Sequence, residues 1–511
     1  MTLTAAPPLL GSITPRLWTP PLRELTPETS YGFEVIDFAR DTLEHPLLPW
    51  QEFAVIHGGE LLPDGRPRFR IVLLLVSRQN GKTELPVVLS VYWQFRKKVP
   101  LTLGTSTKLA YAKESWQKAL NLVKRTRAFD DLHEPGRKWY RRTNGETESW
   151  TLADARYLIA ASNDEGGRSL TINRGVADEL RQHHDYSAWD AFEPACSPWD
   201  AQIWALSNAG SLRSLVLNDL QDSAREFIET GEGDRRLGLF EWSAPEDSDP
   251  EDVDALLAAN PRVGYGLDLE VLLAAAARAK RLGGEALTGF KTERMCIRVM
   301  VLNPAIEPAL WREGAGAPES FEDLRGKVAL VADVAPSMQS ASLYAAAVQP
   351  DGRVRVGPVE AWNGPQATEE MRRALPRLVA GIKPRAFGWL PSGPSAALAA
   401  DLKDRTAAGR RGEWPPRGVA VEEIRGELAA VCTGFAEQVV TGRIWHTDDP
   451  RLNDQVATAE WLNRGDTKVF SRKGEGDCDA IYAAAGAVHL ARTLPTGLGK
   501  PRILLPTVRD S

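Results

Sequence analysis

At 511 residues the chain exceeds what one hydrophobic core usually serves, so two domains are expected. Its hydrophobic content of 43% and charged content of 25% are those of a globular protein, and no apolar run approaches the ~20 residues needed to cross a bilayer, so no membrane span is expected. A net charge of −6 and a pI near 5.8 exclude a globally basic nucleic-acid binder, which makes any DNA contact a local one.

Residues 1–8 hold no basic stretch followed by an apolar core, so no secretion signal is read and a cytosolic protein is expected. Cys196, Cys296, Cys432 and Cys478 lack Cys-x-x-Cys spacing, which points to reduced packing residues and away from disulfides or zinc. Further along, Leu48-Pro49-Trp50-Gln51 offers a glutamine with an aromatic neighbour upstream of the most informative segment. That segment is an apolar β-type run, residues 71–76, emptying into Ser77-Arg78-Gln79-Asn80-Gly81-Lys82-Thr83. Gly81 lets backbone N–H groups approach phosphates, Lys82 neutralises their charge, and the Thr83 hydroxyl is placed to ligate Mg²⁺. The usual pattern has a glycine where Val76 stands, and Gly-Lys-Thr also occurs in ordinary strand-to-helix turns.

Residues 103–112 follow the next strand-like run, where a DNA-tracking element is expected in a motor. Local basic clusters occur at residues 96–98, 137–142 and 410–411, the second interleaved with Trp139 and Tyr140. In Gly175-Val176-Ala177-Asp178-Glu179-Leu180, a strand ends in two carboxylates, one to hold Mg²⁺ and one to polarise the attacking water. An Asp-Glu pair is also common on solvated helices. Residues 203–210 form another apolar strand ending in Ser207-Asn208, suited to reporting phosphate state to a neighbouring element.

An acidic loop at residues 245–252 and an alanine-rich helix near residues 267–282 close the first half, and residues 312–320 have the small, flexible composition of a linker. The expected domains are therefore 1–315 and 316–511. The second opens with a buried strand carrying Asp333 at its end, then strands at residues 342–348 and 354–362, the way a ribonuclease H-like nuclease begins. Two divalent ions about 4 Å apart, held by shared carboxylates, are what such chemistry requires. Gly476-Asp477-Cys478-Asp479 starts a small-residue helix that can pack on the first strand and deliver further acids, or simply use an aspartate as a helix cap.

Taken in order, these motifs, with Phe240-Glu241-Trp242-Ser243-Ala244-Pro245 and residues 442–452, resemble the large terminase subunit of tailed bacteriophages, from about Leu48 to Leu490. In that family the missing first glycine is usual, and a basic residue such as Arg78 sits in the loop. The resemblance implies an α/β protein: an N-terminal P-loop ATPase domain with a mostly parallel sheet, then a C-terminal ribonuclease H-like nuclease domain. It implies ATP hydrolysis driving double-stranded DNA into a procapsid, and a metal-dependent endonuclease that cuts concatemeric DNA. Arg78, Gln79, Asn80, Gly81, Lys82 and Thr83 would bind ATP and Mg²⁺, Asp178 would support the metal, Glu179 would be the base, Gln51 would read adenine, and Ser207 and Asn208 would couple. Asp333, Asp477 and Asp479 would hold two Mg²⁺ or Mn²⁺ ions. Portal protein, small terminase subunit and a homo-oligomeric ring on the procapsid are the implied partners, in the cytoplasm of the infected host. One departure matters: Phe387-Gly388-Trp389-Leu390-Pro391-Ser392-Gly393 offers no acid where the family has a middle-strand carboxylate, so Glu360 or another residue replaces it, or metal binding is weakened. A helicase or repair translocase with a fused nuclease would share the first motifs, and a non-catalytic scaffold would tolerate their loss.

Overall fold

The structure, a computed structural model, describes residues 9–106, 109–133, 139–143, 146–150, 155–161, 170–301, 303–317, 320–391, 394–396, 414, 416, 418–472 and 476–493, with backbone alone at 133, 142–143, 146–150 and 161. Of the expected segments, residues 107–108, 137–138, 318–319, 392–393 and 410–411 lie outside the described residues. The chain forms two compact units, Met1–Leu302 and Asn303–Ser511.

Among the described residues the first unit is built on nine strands: β1 (Leu17–Trp18), β2 (Ile71–Val76), β3 (Leu101–Ser106), β4 (Tyr140–Thr143), β5 (Glu146–Trp150), β6 (Arg156–Ala161), β7 (Arg174–Asp178), β8 (Gln202–Ser207) and β9 (Leu237–Trp242). Their order is β1-β9-β2-β8-β7-β3-β6-β5-β4, parallel from β9 to β6 and antiparallel at both edges. β2 reads as an unbroken apolar run because both its faces are covered. Val72, Leu74 and Val76 join one core cluster, whereas Ile71, Leu73 and Leu75 join the other. β8 is inserted between β2 and β7, the additional-strand arrangement of P-loop ATPases, and all three strands end at the same edge of the sheet. In open α/β sheets that carboxyl edge is where ligands bind. Beyond the sheet, helices Val253–Ala259, Leu269–Leu282 and Gly284–Arg294 gather around their own apolar cluster.

The second unit carries β10 (Ala329–Val334), β11 (Ser340–Val348), β12 (Val354–Asn363), β13 (Ala386–Trp389), β14 (Ala420–Glu423) and β15 (Ile444–His446) in the order β14-β13-β10-β11-β12-β15. β10, β11 and β12 are antiparallel neighbours, while β13 and β14 run parallel to β10. This is the ribonuclease H-like order, with β15 added at the far edge and a separate hairpin of β16 (Trp461–Arg464) and β17 (Thr467–Phe470). Alternation along β10 sorts its side chains by face. Ala329 and Val331 meet the cluster under helix Asp479–Thr493, while Leu330, Ala332 and Val334 meet the cluster under helix Ala367–Ile382. Asp333 therefore falls on the face of helix Asp479–Thr493. That helix approaches closely because its residues are small: a Cβ on Gly486 would stand 2.8 Å from Val331 Cγ1.

The glycine-rich stretch read as a linker belongs with the second unit. Gly316 N–H donates to the His446 carbonyl at 2.9 Å, and Trp311 on helix Pro308–Glu313 stacks on the His446 ring at 3.8 Å.

Candidate active sites

The loop after β2 turns into helix Glu84–Val91 through two left-handed residues, Gln79 (φ +67°) and Gly81 (φ +90°). Asn80 holds the turn from inside. Buried, it donates to the Ser77 carbonyl and the Asn260 side chain, and accepts from the Arg262 backbone N–H. Gln51 braces it from outside, with its amide nitrogen on the Gly81 carbonyl at 2.9 Å and its oxygen accepting from Leu48 N–H. Both polar ends of Gln51 are thus committed to backbone. Trp50, its aromatic neighbour, is fully buried edge-on against Trp242.

Lys82 reaches across from the loop to the end of β7, with its ammonium 3.0 Å from Glu179 Oε1 and 3.6 Å from Asp178 Oδ1. Glu179 occupies the left-handed region at φ 59°, ψ 46°, a conformation costly for a side chain bearing Cβ and characteristic of functional turns. Burial opposes ionisation of Glu179, but Lys82, Arg181 and Arg78 outweigh it and hold the carboxyl below its ordinary value. At Asp178 burial prevails and pushes the carboxyl up, against the pull of Lys82. The two adjacent acids are thereby made different. Thr83, at the head of helix Glu84–Val91, makes no side-chain cap on that helix. A cavity of about 580 Å³ opens above the loop, lined by Gln51, Arg78, Lys82, Thr83 and Glu179 and walled by His45 and Tyr265. Its size suits a nucleotide. Thr83 and Asp178 supply the hard oxygen donors that Mg²⁺ prefers, so the residues fit a nucleotide-borne ion.

Ser207 and Asn208 do not line that cavity. Ser207 Oγ accepts the Arg181 N–H at 3.1 Å, and Asn208 donates to Glu293 Oε2 at 3.3 Å. Glu293, on helix Gly284–Arg294, also pairs with Arg181 at 2.7 Å and with Arg78 at 3.2 Å. One carboxylate therefore joins the loop after β2, the residues after β7 and the end of β8. Sequence reading missed Glu293, Arg181 and Arg262, which carry no motif of their own.

In the second unit, Asp333 is fully buried. Its carboxylate accepts from Ser395 Oγ at 2.6 Å and from Arg472 at 2.8 Å. Burial pushes its carboxyl up to about 6, against the opposing pull of Arg472 and Ser395. Asp479, equally buried, accepts from Ser340 Oγ, Ser342 Oγ and the Gln455 amide at 2.9, 2.5 and 3.0 Å. The cap of helix Asp479–Thr493 comes from elsewhere: Gln455 Oε1 accepts the N–H groups of Ala480 and Ile481. Asp477 is exposed and accepts from Ser337 Oγ at 3.0 Å. Glu360 does not replace the missing middle-strand acid. It is exposed and pairs with Leu343, which pairs with Ala332, and so it lies on the face opposite Asp333. Among the described residues no group of three or more His, Cys, Asp or Glu side chains is placed to hold a metal ion. The donors described here do not fit a two-ion centre.

No known family pattern matches the chain, and no curated protein matches it in sequence. The likeness is to solved structures, in fold. The chain is similar to the large terminase of bacteriophage HK97, 16% identical over 90% of this chain and 99% of that one, with a TM-score of 0.45. It is also similar to the large terminase of a thermophilic bacteriophage in complex with ATP-γ-S, 12% identical over 91% and 100% of the two chains, TM-score 0.30. A third is the large terminase nuclease of thermophilic phage G20c, 13% identical over 32% and 81%, TM-score 0.24. In fold, the chain is similar to these phage large terminases. The described residues include no helix long and apolar enough to cross a membrane.

Proposed function

We propose that this chain is an ATP-hydrolysing DNA-packaging motor, a large terminase subunit whose first unit drives double-stranded DNA into a procapsid. The observation that carries the reading is the convergence of Lys82, Asp178 and Glu179 at the carboxyl edge of the inserted-strand sheet, beside a nucleotide-sized cavity. ATP is the substrate. The N–H groups of the loop and the Lys82 ammonium receive its phosphates, and Arg78 adds a second cation at the cavity wall. Thr83 and Asp178 would hold Mg²⁺, whose charge neutralises the phosphates. Glu179, kept ionised by its cationic neighbours, orients and polarises the attacking water. Glu293, through Arg181 and Asn208, links that event to helix Gly284–Arg294, which makes it the coupling element of the proposed motor. Double-stranded DNA, a portal protein, a small terminase subunit and further copies of this chain in a ring on the procapsid are the proposed partners, in the cytoplasm of an infected bacterium.

The ribonuclease H-like order of the second unit supports a place for DNA cutting there, while the pairing of Asp333 with Arg472 opposes a two-ion centre at that strand end. The deciding experiment for the motor is ATP hydrolysis by the full chain with Mg²⁺, with and without double-stranded DNA, beside Lys82→Ala. Hydrolysis that survives Lys82→Ala, or is absent throughout, overturns the reading.

A further inference from the structure

The strand end that carries Asp333 is neutralised from within. Arg472 places one guanidinium nitrogen 2.8 Å from Asp333 Oδ2 and another 3.2 Å from the Val334 carbonyl, while its plane lies over the Tyr482 ring, 3.8 Å from the centroid. Three different partners fix it, so it is a seated cation and not a surface arm. Ser395 fills the other oxygen of Asp333 and also accepts the Val334 N–H at 3.2 Å. The neighbouring acid is treated in the same way. Asp479 is saturated by Ser340, Ser342 and Gln455, with Arg451 3.6 Å from Oδ2. Two buried carboxylates are therefore matched by two guanidinium groups.

Two-ion phosphodiester cleavage needs carboxylate oxygens free to share divalent ions, and a guanidinium already seated on Asp333 competes for the same oxygen. An ion bound at Asp333 would break the Arg472 pair and leave a guanidinium buried next to a double positive charge. Where a ribonuclease H-like sheet would bring a middle-strand acid, the chain after β13 brings the Ser395 hydroxyl instead. We infer that Arg472 is a resident counter-ion standing in place of a metal at Asp333, and that Asp333 neither holds a metal ion nor takes part in cutting DNA. The inference is independent of the ATP reading, since every residue it uses is in the second unit.

The test uses the full chain and the Asp333→Asn variant. Bound Mn²⁺ is measured by electron paramagnetic resonance, nicking of supercoiled DNA is measured in Mn²⁺ and in Mg²⁺, and ATP hydrolysis in the same preparations reports the motor site separately. The parent and Asp333→Asn are expected to bind equal numbers of Mn²⁺ ions and to show no difference in nicking. One ion fewer per chain in Asp333→Asn, or nicking that this variant loses, overturns the inference. The pair itself is read by thermal melting. Arg472→Gln is expected to lower the melting temperature by leaving Asp333 buried without its cation, and Asp333→Asn/Arg472→Gln to recover part of that loss. An Arg472→Gln protein as stable as the parent would mean that the guanidinium is no counter-ion. If Arg472→Gln fails to fold, the comparison of parent with Asp333→Asn still decides.

Discussion

The Lys82 ammonium lies 3.0 Å from a carboxylate oxygen of Glu179, so the cation that would meet phosphate and the carboxylate that would polarise water neutralise each other. Incoming phosphate must compete with Glu179 for the same ammonium. Glu179→Gln removes the competitor's charge, so nucleotide affinity is expected to be equal to or tighter than that of the parent, while turnover falls by about 10²–10⁴-fold. Lys82→Ala, by contrast, is expected to weaken affinity. Equilibrium binding beside steady-state hydrolysis separates the two, and a Glu179→Gln protein that hydrolyses ATP at the parental rate would remove that residue from the role assigned to it.

Glu293 gathers Arg78, Arg181 and Asn208 onto one carboxylate. Glu293→Gln leaves the volume and removes the charge, so Arg181 loses its anchor at the edge of the site. Turnover is expected to fall by about tenfold, corresponding to ~1.4 kcal/mol of barrier, with a smaller change in nucleotide affinity. An affinity loss without a turnover loss would place Glu293 in binding and not in coupling.

Much of this arrangement was legible in the sequence where a local pattern carries it. The apolar run of β2, buried on both faces, and the Asp178-Glu179 pair at the end of β7 sit where their order implied. Glu293 was not legible, because it approaches Arg78 only through the folding of a helix far along the chain. Trp50 shows a different limit: it neighbours Gln51 in sequence, but in the fold it packs into the core against Trp242. At the end of β10 the sequence made Asp333 readable and left its partner hidden, since Arg472 and Ser395 reach it from distant segments.

Glu241 at the end of β9 supplies a pH prediction. Burial works against its ionisation, but Arg225, Ser243 and Gln221 prevail and hold the carboxyl below its ordinary value of 4.5. A lowered carboxyl contributes stability that is fully present above the ordinary value and is lost as pH falls through the lowered one. Glu241→Gln is expected to cost about 3 kcal/mol near pH 7, because Arg225 and Arg16 lose a buried partner. The gap between variant and parent should narrow once pH drops below 4.5. Denaturant melts at both pH values check it, and a gap independent of pH contradicts the assignment.

The extent of the second unit is testable by truncation. Trp311 is buried, stacks on His446 and donates its indole N–H to Asn453 at 2.8 Å. A fragment starting at Asn303 keeps this anchor, and one starting at Ser320 loses it. The shorter fragment is expected to be less stable by about 3–5 kcal/mol, the usual cost of removing a buried tryptophan. Equal denaturation midpoints would mean that helix Pro308–Glu313 contributes nothing to that core.

Gly486 sets two effects of opposite sign against each other. Alanine in a helix interior gains about 1 kcal/mol over glycine. Here, however, its Cβ would stand 2.8 Å from Val331 Cγ1, and Val331 is fully buried in β10 with a stiff β-branched side chain. Overpacking of that kind costs about 1–3 kcal/mol, so Gly486→Ala is expected to be neutral to destabilising by about 2 kcal/mol in the parent. In a Val331→Ala background the methyl groups are gone and the nearest remaining Val331 atom, its Cβ, is 3.5 Å away, an ordinary contact. The helical gain should then prevail, and the same Gly486→Ala change should stabilise. The reversal of sign between backgrounds is the measurement, read from thermal or denaturant melts of the four proteins in the cycle. If Gly486→Ala has the same effect in both, helix Asp479–Thr493 does not rest on β10 at Val331.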